Sequence, residues 1–231
     1  MKTAIKVISL SLVASSLLFA GKNTVPAESD TVPVSDAAWQ VALKSGTLGI
    51  GVDIARAIND KFAVRLNANG FKYSGYKRKI KGVDTTTDLT LMTVGGLLDY
   101  HPFDNSGFRV SAGAYYNGNK VTTTTGKITG SVTINGNTYT GTAVERLDMS
   151  LAFNKIAPYA GIGYSNMSES GFGITWDLGI MYHGTPKFSV TPVKASAAVK
   201  ADVKKYESDI NSKLAKYKLY PVAMVGFRYN F

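Results

Sequence analysis

The stretch Pro221-Val-Ala-Met-Val-Gly-Phe-Arg-Tyr-Asn-Phe231 alternates apolar side chains with polar or small ones and ends on an aromatic residue. Successive side chains of a β-strand point to opposite faces. One parity, Pro221, Ala223, Val225, Phe227, Tyr229 and Phe231, is fit to face lipid. The other, Tyr220, Val222, Met224, Gly226, Arg228 and Asn230, is fit to face a lumen. That is the pattern of the closing strand of an outer-membrane β-barrel, although a half-buried edge strand of a soluble sandwich would alternate in a similar way.

The opposite end of the chain separates these readings. Met1 to Lys6 carries two lysines, and Val7 to Ala20 is an apolar run too short to span a bilayer but suited to the core of a signal peptide. Residues 1–20 are therefore expected to direct export. Residues 21–37, with Pro26, Pro33 and several acids, read as a flexible periplasmic segment before the barrel at 38–231. The chain has no cysteine, which excludes disulfides, thiolate metal sites and a lipoprotein anchor. Past the leader no run reaches the roughly 18 apolar residues of a membrane helix, so a membrane-spanning chain of this composition must close its sheet into a barrel. Twenty-three glycines, 13 tyrosines, 10 phenylalanines and a mean hydropathy near zero suit a sheet with one lipid face and one polar face.

Period-two runs place the strands. A short first strand, Ala38 to Lys44, is followed by Leu48, Ile50, Val52 and Ile54 on one face, with Gly49, Gly51, Asp53 and Ala55 on the other. Phe62, Val64, Leu66 and Ala68 oppose Ala63, Arg65, Asn67 and Asn69. Met92, Val94, Leu98 and Tyr100 face outward with Asp99 inward, and Phe108 to Asn117 puts Arg109 and Tyr115 inward. Ile156 to Tyr164 and Phe172 to Tyr182 complete the set with the closing strand. Residues 75–87 read as a loop, and Val121 to Leu147, rich in threonine, as a ribbon extending its hairpin. The connections at 59–60, 101–107 and 166–171 are short, and those at 75–87, 121–147 and 184–218 are long. Short periplasmic turns and long extracellular loops follow if both termini are periplasmic. The expected fold is all-β: an eight-stranded antiparallel up-and-down transmembrane β-barrel with one amphipathic helix in the last extracellular loop. That helix is read within 195–218 from Val199, Val203, Tyr206, Ile210, Leu214 and Tyr217 at steps of three and four. A lid on the extracellular rim, a segment lying in the leaflet surface and a partner-binding helix are its three readings.

The stretches Val94-Gly-Gly-Leu-Leu-Asp-Tyr-His-Pro-Phe103, Gly107 to Asn119, Ile156-Ala-Pro-Tyr-Ala-Gly-Ile-Gly-Tyr164, Gly184-Thr-Pro-Lys187 and Tyr220-Pro-Val222 resemble small proteobacterial outer-membrane barrels of the CarO type. The resemblance covers about residues 40 to 231. It implies location in the outer membrane of a Gram-negative bacterium and, since that family is described as porins for ornithine and other basic amino acids, transport of small solutes. It supplies no solute-binding residues to carry over, and a basic chain is an odd match for a cationic solute.

The lumen parity gathers Asp53, Asp99 and Asp177 against Arg65, Arg109, Lys155 and Arg228, either a solute path or internal salt bridges. Asp99 and Arg109, and Asp53 and Arg65, are nearly symmetric about their turns and should face each other. An eight-stranded barrel is just wide enough to be filled by its own side chains. Inward glycines could leave a narrow wet passage or receive Tyr115, Tyr159 and Met181. The first expectation is a narrow porin-like channel for small polar or charged solutes. The alternative is a non-conducting structural or surface-interaction barrel that binds lipopolysaccharide through basic loops.

The formal charge of +10 is concentrated in those loops, notably Lys77, Arg78, Lys79, Lys81, Lys204 and Lys205. Outer-membrane lipid and lipopolysaccharide phosphates are their expected partners, and export argues against nucleic acid. Phe227, Tyr229 and Phe231 resemble the terminal signal read by the barrel-assembly machinery, which with periplasmic chaperones would be a transient partner. No enzyme activity, cofactor or metal site is expected. A lipid A-modifying barrel enzyme would need a histidine, a serine and an acid at the outer rim. His101 falls in a periplasmic turn, and His183 is about 20 Å along the strand from Asp177.

Overall fold

The computed structural model describes residues 39–80, 83–167 and 170–231; the stretch 1–20 expected to be a signal peptide, the 21–37 segment and Lys81 lie outside the described residues. The strands in chain order are β1 (Trp39–Gly46), β2 (Gly49–Ala57), β3 (Phe62–Ile80), β4 (Val83–Tyr100), β5 (Phe108–Asn117), β6 (Lys120–Thr125), β7 (Ser131–Ile134), β8 (Asn137–Thr140), β9 (Arg146–Ala152), β10 (Ile156–Tyr164), β11 (Gly171–Tyr182), β12 (Lys187–Val193) and β13 (Leu219–Asn230). One helix, α1 (Ala197–Leu214), lies between the last two.

Eight strands pair antiparallel in a closed ring, in the order β1, β2, β3, β4, β5, β10, β11, β13 and back to β1. Reciprocal backbone hydrogen bonds of 3.0 Å join Trp39 to Phe231 at the seam. Closure leaves no ring strand with a free edge, the condition for a sheet in lipid. Val64, Leu66, Val94, Ile174, Leu178 and Val225 face outward and are exposed, whereas their strand neighbours are buried or half-buried inside the ring. Aromatic residues flank the band: Trp39, Phe62, Tyr100, Phe172 and Tyr229 toward the termini, Tyr116 and Tyr182 toward the far end. A surface this apolar would be a penalty in water and is the expected face of a sheet bathed in lipid.

The expected strand parities hold on every ring strand, with one local exception. Leu48, expected on the outer face with Ile50, is only 1% exposed and packs inside the ring with Leu97, Tyr115 and Met181. The two-residue turn at Thr47-Leu48 precedes the strand, and the left-handed backbone of Gly49 (φ 99°) resets the alternation.

The segment 75–87 is also not a loop. β3 and β4 continue past the ring as a ribbon paired up to Ile80 and Val83, with a β-bulge between Tyr73 and Tyr76. There Gly75 takes φ 80° and donates its N–H to Asp88. β6 adds to the extended part of β4, β9 to β6 and β12 to β9, so the wall grows into a five-stranded extension beyond the ring. The threonine-rich 121–147 stretch supplies β6 and the start of β9, as its β-branched composition suggests, together with the separate hairpin β7–β8.

Helix α1 begins at Ser196, whose hydroxyl accepts from the Val199 N–H, and packs on the inner face of this extension. Val199 and Val203 are buried with Ile128, Ile134, Val144, Leu147 and Val190. The expected stripe is therefore half used, because Tyr206 and Tyr217 stay exposed. Polar contacts complete the docking. Asn211 exchanges two hydrogen bonds with the backbone of Phe188 on β12, 2.8 and 2.9 Å, and Asp202 accepts from Asn137 and Tyr139 of β7–β8, both at 2.6 Å.

Candidate functional site

The inward side chains of the ring form layers whose order is read from the strand register. Nearest the termini, Gln40 donates to Asn230 at 2.8 Å and its carbonyl accepts from Ser165, also at 2.8 Å. A cleft of about 270 Å³ opens at this end between Asn59, Asp60, His101 and Asp104, and its walls reach inward as far as Ala57 and Ala63. Next comes a layer of charge, two residues farther along β3 at Arg65.

Arg65 is the hub. Its Nε and Nη2 each donate to Asp99 at 2.9 Å in a bidentate pair, Nη1 reaches Asp53 at 3.0 Å and Asp177 at 3.1 Å, and Nη2 also meets the Ser111 hydroxyl at 3.1 Å. Arg109 donates to Asp177 at 2.7 Å. Lys44 Nζ lies 2.6 Å from Asp177 and also pairs with Asp53. Ser111 donates to Asp99 at 2.6 Å, and Asn67 donates to Asp53. Three cations thus balance three carboxylates, all 1–3% exposed. Buried charges are tolerated when each is paired and hydrogen-bonded, and every charge of this cluster has an opposite partner, although Arg109 Nε, 3.8 Å from Asp99, makes no hydrogen bond. Gly163 opposite makes the space, since a β-carbon there would stand 2.8 Å from an Asp177 carboxylate oxygen and 3.1 Å from Arg109 Nε.

Beyond the charges the filling turns apolar: Leu48, Leu97, Tyr115, Tyr159, Met181, Val222 and Met224. Tyr115 and Tyr159 meet edge to face with centroids 5.5 Å apart. A β-carbon on Gly95 would strike the Tyr115 ring, and one on Gly161 or Gly179 the Tyr159 hydroxyl or ring. Of the two roles open to the inward glycines, these three take that of receiving tyrosines.

Five expected lumen residues, Asp53, Arg65, Asp99, Arg109 and Asp177, meet in one cluster. Arg228 is buried inside the ring a little nearer the termini, its guanidinium against Gly173. Lys155 is a correction: it lies in the break between β9 and β10, is exposed, and its ammonium sits 5.6 Å from the Tyr116 ring centroid on the outside. The strand parity that pointed it inward does not run through that break. Lys44 was missed, although it shares the parity of Gln40 and Ala42, opposite to Val41 and Leu43, and pairs with Gly51.

Lys77, Arg78 and Lys79 are exposed on the β3 ribbon, and Lys204 and Lys205 on α1. Phe227, Tyr229 and Phe231 face outward, with Tyr229 edge-on to Phe172. His183 is held edge-on between Phe153 and Tyr220, and burial pushes it and His101 below the ordinary histidine value.

With its ring closed and its interior filled in this way, the chain is similar to CarO2 of Acinetobacter baumannii, with a TM-score of 0.55 and 25% identity over 84% of this chain and 98% of that one. The fold is that of a CarO-type outer-membrane barrel. CarO of the same organism matches with a TM-score of 0.52 and 24% identity over 84% of this chain and 97% of that one. A major outer membrane protein from Thermus thermophilus matches with a TM-score of 0.39 and 15% identity over 85% and 100% of the two chains. No protein-family model and no curated protein matches. The CarO-type barrel resides in the outer membrane of a Gram-negative bacterium, which accounts for its exposed apolar band.

Proposed function

We propose that the ring is an eight-stranded membrane-spanning barrel closed to solutes, with both ends of the ring's chain path in the periplasm. Its role is then to hold the extension and α1 at the cell surface, in contact with lipopolysaccharide. The observation that carries this reading is the Arg65 cluster. In the ring order β3 and β11 are four steps apart out of eight, so Arg65 and Asp177 meet across the full width of the lumen. A conducting path would have to separate buried pairs, each at about 3–5 kcal/mol. The tyrosine and methionine layer stacked on the cluster adds a second closure.

Between the channel and the closed barrel, this geometry favours the closed barrel. We read no catalytic role. The orientation follows from the ends: the connections β2–β3, β4–β5 and β10–β11 share one end with Trp39 and Phe231, and the extension stands at the other, beside the two-residue turn between β1 and β2. On the same reading, the outward aromatics of β13 engage the assembly machinery during insertion. The test is planar-bilayer conductance of the full refolded chain. Silence across salt gradients is expected, and discrete single-channel openings would restore the porin reading.

A further inference from the structure

One rung of the extension carries a row of lysines. Lys72 on β3 pairs with Thr90 on β4, Thr90 with Lys120 on β6, Lys120 with Ala152 on β9, and Ala152 with Lys187 on β12. Residues paired across a ladder share a face, and Thr90 has the parity of the outward Met92, Val94 and Leu98. The three lysines therefore stand on the outer face, one on every second strand, about 10 Å apart at 4.8 Å per strand.

The position of the row matters as much as its charge. On the side toward the ring the outer face is Met92, Tyr116 and Ile156; on the other it is Asp88, Thr122, Ser150 and Ser189. The row marks the rung at which the outer face changes from lipid-like to polar. Lys155, over Tyr116, adds a fourth ammonium just below it. The lysine ion pairs of the extension are Lys79–Asp84 and Lys194–Glu145, and Lys72, Lys120 and Lys187 have no carboxylate partner among the described residues. Asp88, the nearest acid on that face by register, already accepts the Gly75 N–H.

We propose that Lys72, Lys120 and Lys187 form a binding row for the phosphates of lipid A in the outer leaflet, so that the barrel carries bound lipopolysaccharide along its extended wall. This rests on the orientation given above but not on whether the lumen conducts. Unpaired ammonium groups at a polar-apolar boundary match a phosphate whose acyl chains lie against Met92 and Val94 below. The row is open and flat, with no enclosure to hold a small free anion, whereas a membrane-anchored phosphate arrives there at high local concentration. It is also distinct from the loop lysines read first from the sequence, which stand farther from the apolar band.

The experiment is native mass spectrometry of the refolded full chain titrated with purified bis-phosphorylated lipid A, using dephosphorylated lipid A as the comparison and inorganic phosphate as competitor. At about fivefold per lysine, the triple variant Lys72→Gln, Lys120→Gln, Lys187→Gln should bind lipid A roughly 100-fold more weakly. Dephosphorylated lipid A should bind the natural chain as weakly. Lys61→Gln, in the connection between β2 and β3 at the opposite end of the ring, should leave binding within about twofold, since that residue lies far from the row. Single variants, each checked for folding by heat-modifiable migration, keep the test decisive if the triple variant does not refold. Undiminished lipid A binding in the triple variant overturns the proposal. So does displacement of lipid A by millimolar inorganic phosphate, which would make the row a free-anion site.

Discussion

Arg65 and Asp177 stand on opposite strands of the ring of eight, and their side chains meet at 3.1 Å. Two side chains reaching from facing walls to hydrogen-bonding distance leave no straight path between them. The same guanidinium binds Asp53 and Asp99, so one residue ties together strands β2, β3, β4 and β11. The cluster is thus a structural cross-brace, and on the proposed reading of a closed barrel it is also the plug.

Replacing Arg65 with methionine keeps much of the length of the side chain and leaves three carboxylates sharing only Lys44 and Arg109. Removing one partner of a buried ionic network costs about 3–5 kcal/mol. The Arg65→Met barrel should therefore unfold at a clearly lower urea concentration, measured by heat-modifiable migration or tyrosine fluorescence. Adding Asp177→Asn should recover part of the loss, because the second change restores the balance of charge, leaving two carboxylates, Asp53 and Asp99, to the two remaining cations, Lys44 and Arg109. Additive losses in the double variant would mean that the two residues do not act as one network.

Gly95 faces the Tyr115 ring so closely that a β-carbon would overlap it. Gly95→Val should displace that ring from its edge-to-face contact with Tyr159, at about 1–3 kcal/mol for overpacking a filled interior. Gly96, the next residue, faces outward, and a β-carbon added there would meet nothing within 4 Å. Gly96→Val should accordingly be near neutral or stabilising in detergent unfolding. Equal losses at the two positions would contradict the packed tyrosine layer.

Much of this was legible in the sequence because lipid and lumen impose opposite demands on alternate residues. Wherever a strand has both environments, as from Phe62 to Asn69, the alternation is complete. Where the ribbon leaves lipid, Lys77 to Lys79 are exposed on both faces, and the apolar period is lost there and in Val83 to Thr87 although both segments stay extended. That is why a strand looked like a loop. The cluster was half legible: parity supplied Asp53, Arg65, Asp99, Arg109 and Asp177, and the near-symmetry about the turns brought the right partners within reach. The register places Ser111 opposite Asp99, and Arg65 takes the bidentate contact from β3. The meetings of Lys44 and Arg65 with Asp177 depend on ring closure, which no local spacing encodes.

Leu66 lies on the outer face between Val64 and Ala68 and is 66% exposed. In lipid a lysine near the midplane of a barrel's outer face costs about 2–4 kcal/mol. Leu66→Lys should reduce the folding free energy in phospholipid vesicles by that amount. In a ring surrounded by water the same change would be neutral, so an unaltered unfolding midpoint in vesicles would contradict the lipid-facing assignment of this band.

Asp202 tests how α1 is held. The side-chain hydrogen bond from Asn137, and then that from Tyr139, keep its carboxyl below the ordinary value of 3.8. A depressed folded-state value means that the unfolded or undocked segment takes up a proton first as pH falls. The contribution of Asp202 to docking is therefore complete above about pH 4 and is lost as pH drops through the lower folded value. Because the chain lacks cysteine, Thr138→Cys and Asp209→Cys allow spin labels to be placed on the β7–β8 hairpin and on α1. The measured distance should be single and narrow at pH 6 and broaden in strongly acidic solution. Asp202→Ala should broaden it at both. A distribution that stays narrow in the alanine variant would place the hold on α1 with Val199, Val203 and the Asn211 contacts to Phe188 alone.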